Sequence, residues 1–183
     1  MLHLPGSGTG NLRVDAALLN RAVRTALAHG APSVDIVGYS AGGVVALIWA
    51  RRYDGAASAR RIITLGAPFH GTRLAAVAEA FLPRECPIAC RQLVPGSALL
   101  QSLRVGSPSG LPPWLSLWST DDAVVTPPSS ARLAGAVDVA VQSICPAVTI
   151  AHGQLPVSPV VAAIVLQALG TGPLRAPTRA VCG

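Results

Sequence analysis

The chain has 183 residues, 51% apolar and 12% charged, with 4% aromatics and a formal net charge of +6. That length buries a core as one domain without added staples, and so few aromatics argue against a stacking platform for nucleic acid. The charge comes from arginine alone and is scattered, with only Arg51-Arg52 and Arg60-Arg61 adjacent, so it forms no nucleic-acid stripe and reads as a solvated basic surface, mildly attractive to anionic interfaces.

In chain order, residues 2–4 read as the end of a strand. The glycine-rich loop 5–10 has neither the Lys-Ser/Thr of a phosphate cradle nor the glycine spacing of a dinucleotide fingerprint. Over 14–29, Leu18, Leu19, Ala22, Val23, Ala26 and Leu27 recur at helical spacing with Arg21, Arg24 and Thr25 opposite; Asp15 favours the start and Gly30 stops the helix. A strand at 34–38, a helix at 41–53 and a strand at 61–66 follow. The stretch 74–113 carries Pro83, Pro87, Pro95, Pro108, Pro112 and Pro113. It reads as short helices and loops, a cap or acyl-pocket insertion within a single domain covering 1–183. Strands near 114–119 and 136–144 and a helix at 157–169 complete the pattern. The apolar run 160–166 is far too short to span a bilayer. Strands alternating with helices predict an α/β fold with a mainly parallel sheet covered on both faces.

The most informative motif is Gly38-Tyr39-Ser40-Ala41-Gly42-Gly43. Between a strand and a helix, G-x-S-x-G is the context of a nucleophile elbow. Gly38 and Gly42 are expected because side chains two positions either side of the nucleophile would crowd the turn. The Ser40 hydroxyl is then exposed at the carboxyl end of the sheet, and the Ala41 N–H points at a developing oxyanion. The competing reading is a glycine-rich turn whose serine merely caps the next helix. A serine nucleophile needs a base and an acid, in the chain order Ser, acid, His. Of His3, His29, His70 and His152, only His152 lies late in the chain, where a strand end meets Gly153. The acid must come from Asp54, Glu79, Glu85, Asp121, Asp122 or Asp138. Asp54 follows the nucleophile helix on the wrong side of the sheet, and Asp138 reads as a solvent-facing strand residue. Asp121 and Asp122 stand at a strand's carboxyl end, and position alone leaves both open.

These segments resemble the secreted bacterial triacylglycerol lipases and esterases of the α/β-hydrolase fold, over nearly the full length. The marks are residues 34–43, then Thr64-Leu65-Gly66-Ala67-Pro68-Phe69-His70-Gly71-Thr72, Cys86-Pro87-Ile88-Ala89-Cys90, Asp122-Ala123-Val124-Val125-Thr126-Pro127 and Ala151-His152-Gly153. The resemblance decides between the aspartates, since Val125 and Pro127 stand in register with Asp122. It implies Ser40, Asp122 and His152 as catalytic residues, Ala41 as an oxyanion donor, and His70 as a hydrogen-bonded loop residue near the site. It implies disulfides Cys86–Cys90 and Cys145–Cys182, the second clamping the tail near His152, and an oxidising, extracellular setting. Met1-Leu2-His3 shows no signal-peptide pattern, so secretion rests on the resemblance and the cysteines.

The implied activity is hydrolysis of carboxylic esters by a monomer that uses no metal or cofactor. Its partner is an ester or lipid substrate, including one at a lipid–water interface, and not nucleic acid. A thioesterase or polyester hydrolase on the same scaffold, and a non-catalytic protein keeping the fold, are the competing readings. Only one helix separates residues 2–5 from the strand carrying Ser40. The resemblance expects a helix, a strand and a second helix after the loop that donates the other oxyanion N–H. The chain therefore reads as N-terminally truncated, with weak activity and poor solubility expected.

Overall fold

The computed structural model describes residues 2–104 and 110–182; Met1, Gly183 and residues 105–109 of the expected cap, Pro108 among them, lie outside the described residues. Helix α1 (Leu12–Ala28) is capped by Asn11, whose side chain accepts from the Arg13 N–H. The expected starter, Asp15, lies in the first turn but is buried. Strand β1 (Val34–Tyr39) leads into α2 (Ala41–Arg52), which is buried continuously from Gly43 to Ala50, as a central helix apolar on every side must be. Then come α3 (Gly55–Ser58), β2 (Ala59–Leu65), α4 (Arg73–Phe81), α5 (Ile88–Gln92) and α6 (Ala98–Arg104). Strand β3 (Trp114–Trp118), β4 (Val137–Ala140), α7 (Val141–Ile144) and α8 (Pro159–Ala168) follow, and a 3-10 turn at Arg179–Cys182 ends the described chain.

The four strands form one parallel sheet in the order β1-β2-β3-β4. Parallel strands need crossovers: α2 and α3 lie between β1 and β2, α4 to α6 between β2 and β3, and a stretch with one 3-10 turn at Pro128–Ala131 between β3 and β4; α1 and α2 cover one face and α8 the other. Alternation along β2 sends Ile62 into one core, with α1, α2, α6 and Trp114, and sends Ile63 and Leu65 into the other, with Leu115, Leu117 and α8. β2 and β3 are buried along nearly their whole length, whereas β1 exposes Val37 and Tyr39. Among the described residues no helix is long and apolar enough to cross a membrane.

Two expectations are corrected. Residues 2–4 form no strand: Leu4 is extended, but Pro5 has no N–H to donate, and the chain turns at once into a 3-10 helix at Pro5–Gly8. The count of elements behind the expected truncation loses its first strand accordingly. The strand expected over 136–144 ends at Ala140, and the next four residues make one helical turn. There Ser143 donates back to the Ala140 carbonyl at 2.7 Å, a local bond that competes with a ladder.

Candidate active site

Ser40 stands between the last residue of β1 and the first of α2, with φ 51° and ψ −125°, a backbone conformation that side chains rarely adopt. Its N–H donates to the Leu65 carbonyl at 2.9 Å, and its carbonyl accepts from Gly43 at 2.9 Å. The turn is thus pinned to β2 on one side and to α2 on the other. Its hydroxyl makes no cap bond to α2; it lies 3.0 Å from Nε2 of His152. A Cβ on Gly38 would fall 2.8 Å from the Gly42 carbonyl oxygen, so this glycine is required by close approach. Gly42 is different. A Cβ there would meet nothing within 4 Å, and the crowded position is Gly43, where it would lie 2.4 Å from the Ala67 Cβ. Of the two motif glycines, only the first answers to crowding. The second tight contact is made one residue later, where α2 packs on β2.

Contrary to expectation, no strand ends at His152: residues 149–151 join no ladder, and His152 opens a short 3-10 turn whose Gln154 side chain accepts from the Ala151 N–H at 2.8 Å. The ring is 7% exposed. Its Nδ1 lies 2.6 Å from Oδ2 of Asp122. A carboxylate only accepts, so Nδ1–H donates to it and Nε2 is left to accept from the serine hydroxyl. The other oxygen of Asp122 accepts the Val124 and Val125 N–H groups at 2.9 and 2.8 Å, which fixes the carboxylate before any substrate arrives.

Of the remaining carboxylates, Asp121 accepts from the Ile150 N–H and from Gln142, Asp138 accepts from the Leu133 N–H, Glu79 pairs with Arg91, and Asp54 precedes α3. His70 holds the Ser130 carbonyl through its ring at 3.0 Å. The structure thus gathers Ser40, His152 and Asp122 into one hydrogen-bonded row, with Ala41, Gly38 and Gly42 lining an open groove of about 960 Å³ beside the serine and along β1.

Three contributors were not assigned from sequence. Gly66, at φ 56°, leaves the space that a Cβ would take from Leu155, Asp122 and His152; its signal was its place at the head of the Gly66-Ala67-Pro68 loop. Tyr39 lays its ring against the imidazole, centroids 5.0 Å apart, and its hydroxyl donates to the His152 carbonyl at 3.3 Å. Burial first, and then the charge of Asp122, raise its phenol pKa. Ser119 donates to the Ile150 carbonyl at 2.5 Å and accepts from Gln142. No sequence signal marked Tyr39 or Ser119, because the residues they touch, His152 and Ile150, are remote in the chain.

No protein-family model matches the chain, and no curated protein matches it by sequence. Solved structures do. Aspergillus fumigatus lipase B superposes with a TM-score of 0.82 at 23% identity, over 98% of this chain and 48% of that one. The mature form of Bacillus licheniformis lipase BlEst2 gives 0.60 at 20% identity, over 71% of this chain and 65% of that one. The fold is that of the α/β-hydrolases. An alpha/beta hydrolase enzyme from a sediment metagenome of the Mar Chica lagoon matches at a TM-score of 0.50, with 19% identity over 85% of this chain and 65% of that one. The chain therefore spans about half the length of the fungal lipase and under two thirds of the bacterial one. The two disulfides are Cys86–Cys90 and Cys145–Cys182.

Proposed function

We propose that the chain is a serine hydrolase of carboxylic esters, of the lipase or esterase kind. The observation that carries this reading is the unbroken row from the Ser40 hydroxyl through His152 to Asp122, at 3.0 and 2.6 Å. Ser40 Oγ attacks the ester carbonyl carbon while His152 Nε2 takes its proton. The carbonyl oxygen becomes an oxyanion facing the Ala41 N–H. Collapse expels the alcohol, which leaves with the proton from His152, and the acyl group stays on Ser40. Water then attacks the acyl-enzyme and gives one proton to His152; the acyl–oxygen bond to Ser40 breaks, His152 returns that proton to Oγ, and the carboxylic acid leaves. Asp122 holds the imidazole in the tautomer these transfers need and stabilises the imidazolium between them.

The lipase neighbours support the substrate class, and an ester or lipid, met in solution or at a lipid–water interface, fits the open groove along β1. We read the chain as one monomeric domain with 74–113 as its cap. Two disulfides favour an oxidising, extracellular setting. The test is labelling with a fluorophosphonate, which phosphonylates an activated serine. The folded wild-type chain should label, and Ser40→Ala should not. Labelling that survives the substitution, or a folded wild type that never labels, overturns the assignment.

A further inference from the structure

His152 and Ser40 are 112 residues apart in the chain, yet the imidazole has to keep its place beside the serine hydroxyl. Several bonds hold the backbone leading to it. Asp121 accepts the Ile150 N–H, Ser119 donates to the Ile150 carbonyl, and Gln154 accepts from the Ala151 N–H. The bond to Asp122 fixes the edge of the ring. A hydrogen bond of that kind lies near the ring plane and leaves the faces of the imidazole to packing.

Tyr39 packs there, and strand alternation is the reason. Gly38 is buried against the start of α2, so the next residue of β1 points to the other side of the sheet, where the His152 turn lies. The phenol ring is tilted by 34° to the imidazole, with centroids 5.0 Å apart. Its hydroxyl donates at 3.3 Å to the His152 carbonyl, which also accepts the Leu155 N–H at 3.1 Å. The tyrosine is thus seated by the same residue whose ring it meets. Burial, and then the charge of Asp122, raise its phenol pKa above the ordinary 10.0, so the hydroxyl stays a donor at neutral pH.

We propose that Tyr39 is a positioning residue for His152, whose ring holds the imidazole in place and stabilises its protonated form. The proposal deepens the hydrolase reading and rests on it for the use of that form, which carries the proton between Ser40, the leaving alcohol and water. The attraction is electrostatic: an aromatic face is negative, and a cation within about 6 Å of its centroid is drawn to it. Asp122 acts on the same ring from its edge, and among the described residues it is the one ion-pair partner of His152. The other neighbours bring no free charge. Ser40 is neutral, Gly66 and Leu155 are apolar, and Asp121 is engaged with Ile150 and Gln142. Tyr39 also stands next to Ser40, so one residue joins the strand that carries the serine to the ring that faces it. Mere cover would act with the opposite sign. Keeping water off an imidazole disfavours its charge, so removing a cover raises the pH at which the ring titrates, whereas removing an aromatic face lowers it.

The experiment is an NMR titration of the His152 imidazole in the folded chain, its signal identified by its loss in His152→Gln; no turnover is needed. Tyr39→Leu keeps an apolar cover and removes the aromatic face. Its midpoint should fall about half a unit below that of the wild type, the size of a partly exposed cation–π contact. Tyr39→Phe keeps the face and should stay near the wild type. Fluorinating that phenylalanine ring step by step drains the face with little change of shape, and should lower the midpoint stepwise even where Tyr39→Leu fails to fold. A midpoint that stays or rises in Tyr39→Leu, or that stays fixed along the fluorinated series, overturns the proposal. So does Tyr39→Phe falling as far as Tyr39→Leu, because the hydroxyl and not the ring would then be responsible. Hydrolysis of a soluble ester by the wild type, measured separately, reports on the hydrolase reading. Where it occurs, the acid limb of kcat/KM should follow the titration midpoint from variant to variant, and a limb that does not move also overturns the proposal. Shifted midpoints without hydrolysis would leave the Tyr39 contact standing and the hydrolase reading refuted.

Discussion

The carboxylate of Asp121 accepts the backbone N–H of Ile150 at 3.1 Å, just ahead of His152, while its neighbour Asp122 takes the imidazole itself at 2.6 Å. Adjacent aspartates thus divide the work: one anchors the loop, the other orients the ring. Asp122→Asn should lower kcat on a soluble ester by about 10⁴, the effect of turning an orienting acceptor into an amide. Asp121→Asn keeps one acceptor oxygen for the Ile150 and Gln142 donors, and Ser119 and Gln154 hold the His152 segment besides. It should cost about tenfold or less, in keeping with hydrogen bonds weakened and not lost. Steady-state kinetics on both variants checks this, and the reverse order would move the acid to Asp121.

The glycines of the elbow should respond unequally to alanine. On Gly38 the new methyl meets backbone atoms of Gly42 and Gly43 at 2.8–2.9 Å, and on Gly43 it meets Ala67 and Thr64 at 2.4 and 3.0 Å. Each substitution should lower stability by about 1–3 kcal/mol, as overpacking does. Gly42→Ala meets nothing and lies in a helix, so it should match the wild type or exceed it by up to about 1 kcal/mol. Urea midpoints of the three variants decide the ranking.

That ranking marks the boundary of what the sequence discloses. The strand, turn and helix around Ser40 were legible because a run of β-branched residues, a glycine pair and a long apolar stretch are local signals. The α/β architecture was legible because strands and helices alternate. Which glycine is crowded was not, since the clash at Gly43 comes from Thr64 on the next strand and Ala67 just past its end. Leu4 has an extended backbone but no ladder, and extension is local while a ladder needs a partner. The turn at Val141–Ile144 read as strand because its apolar alternation continues from β4; its helical form serves Gln142, which reaches Thr120, Ser119 and Asp121. Asp15 was read as a helix starter from its position, and nothing in the sequence told that its side would face the core.

Cys145–Cys182 closes a separation of 37 residues that includes the His152 turn and α8. Replacing both cysteines with serine should lower the unfolding free energy by about 2–4 kcal/mol. Cys86–Cys90, with a separation of 4, closes a far shorter loop and should contribute less. Chemical denaturation of the two double variants under non-reducing conditions measures both.

Asp15 is 2% exposed and one of its oxygens has no partner. Burial raises its pKa above the ordinary 3.8. The start of α1 favours a negative charge nearby, but desolvation outweighs it. The sign follows from linkage. Below 3.8 the residue is protonated in both states and costs nothing; as pH rises past that value the unfolded chain ionises first, and the fold loses stability until the raised value is passed. Asp15→Asn cannot ionise, so its melting temperature should gain on the wild type as pH goes from acid to neutral. A constant gap across that range would show that the carboxyl is solvated.

Ser40 keeps a φ of 51° that glycine adopts freely and serine does not. Ser40 is therefore also a weak point of the backbone, held in place by the Leu65 and Gly43 backbone bonds on either side of it. Ser40→Gly should yield a chain that is dead and hardier than its parent. If Ser40 is the nucleophile, this backbone angle is a trade between endurance and chemistry.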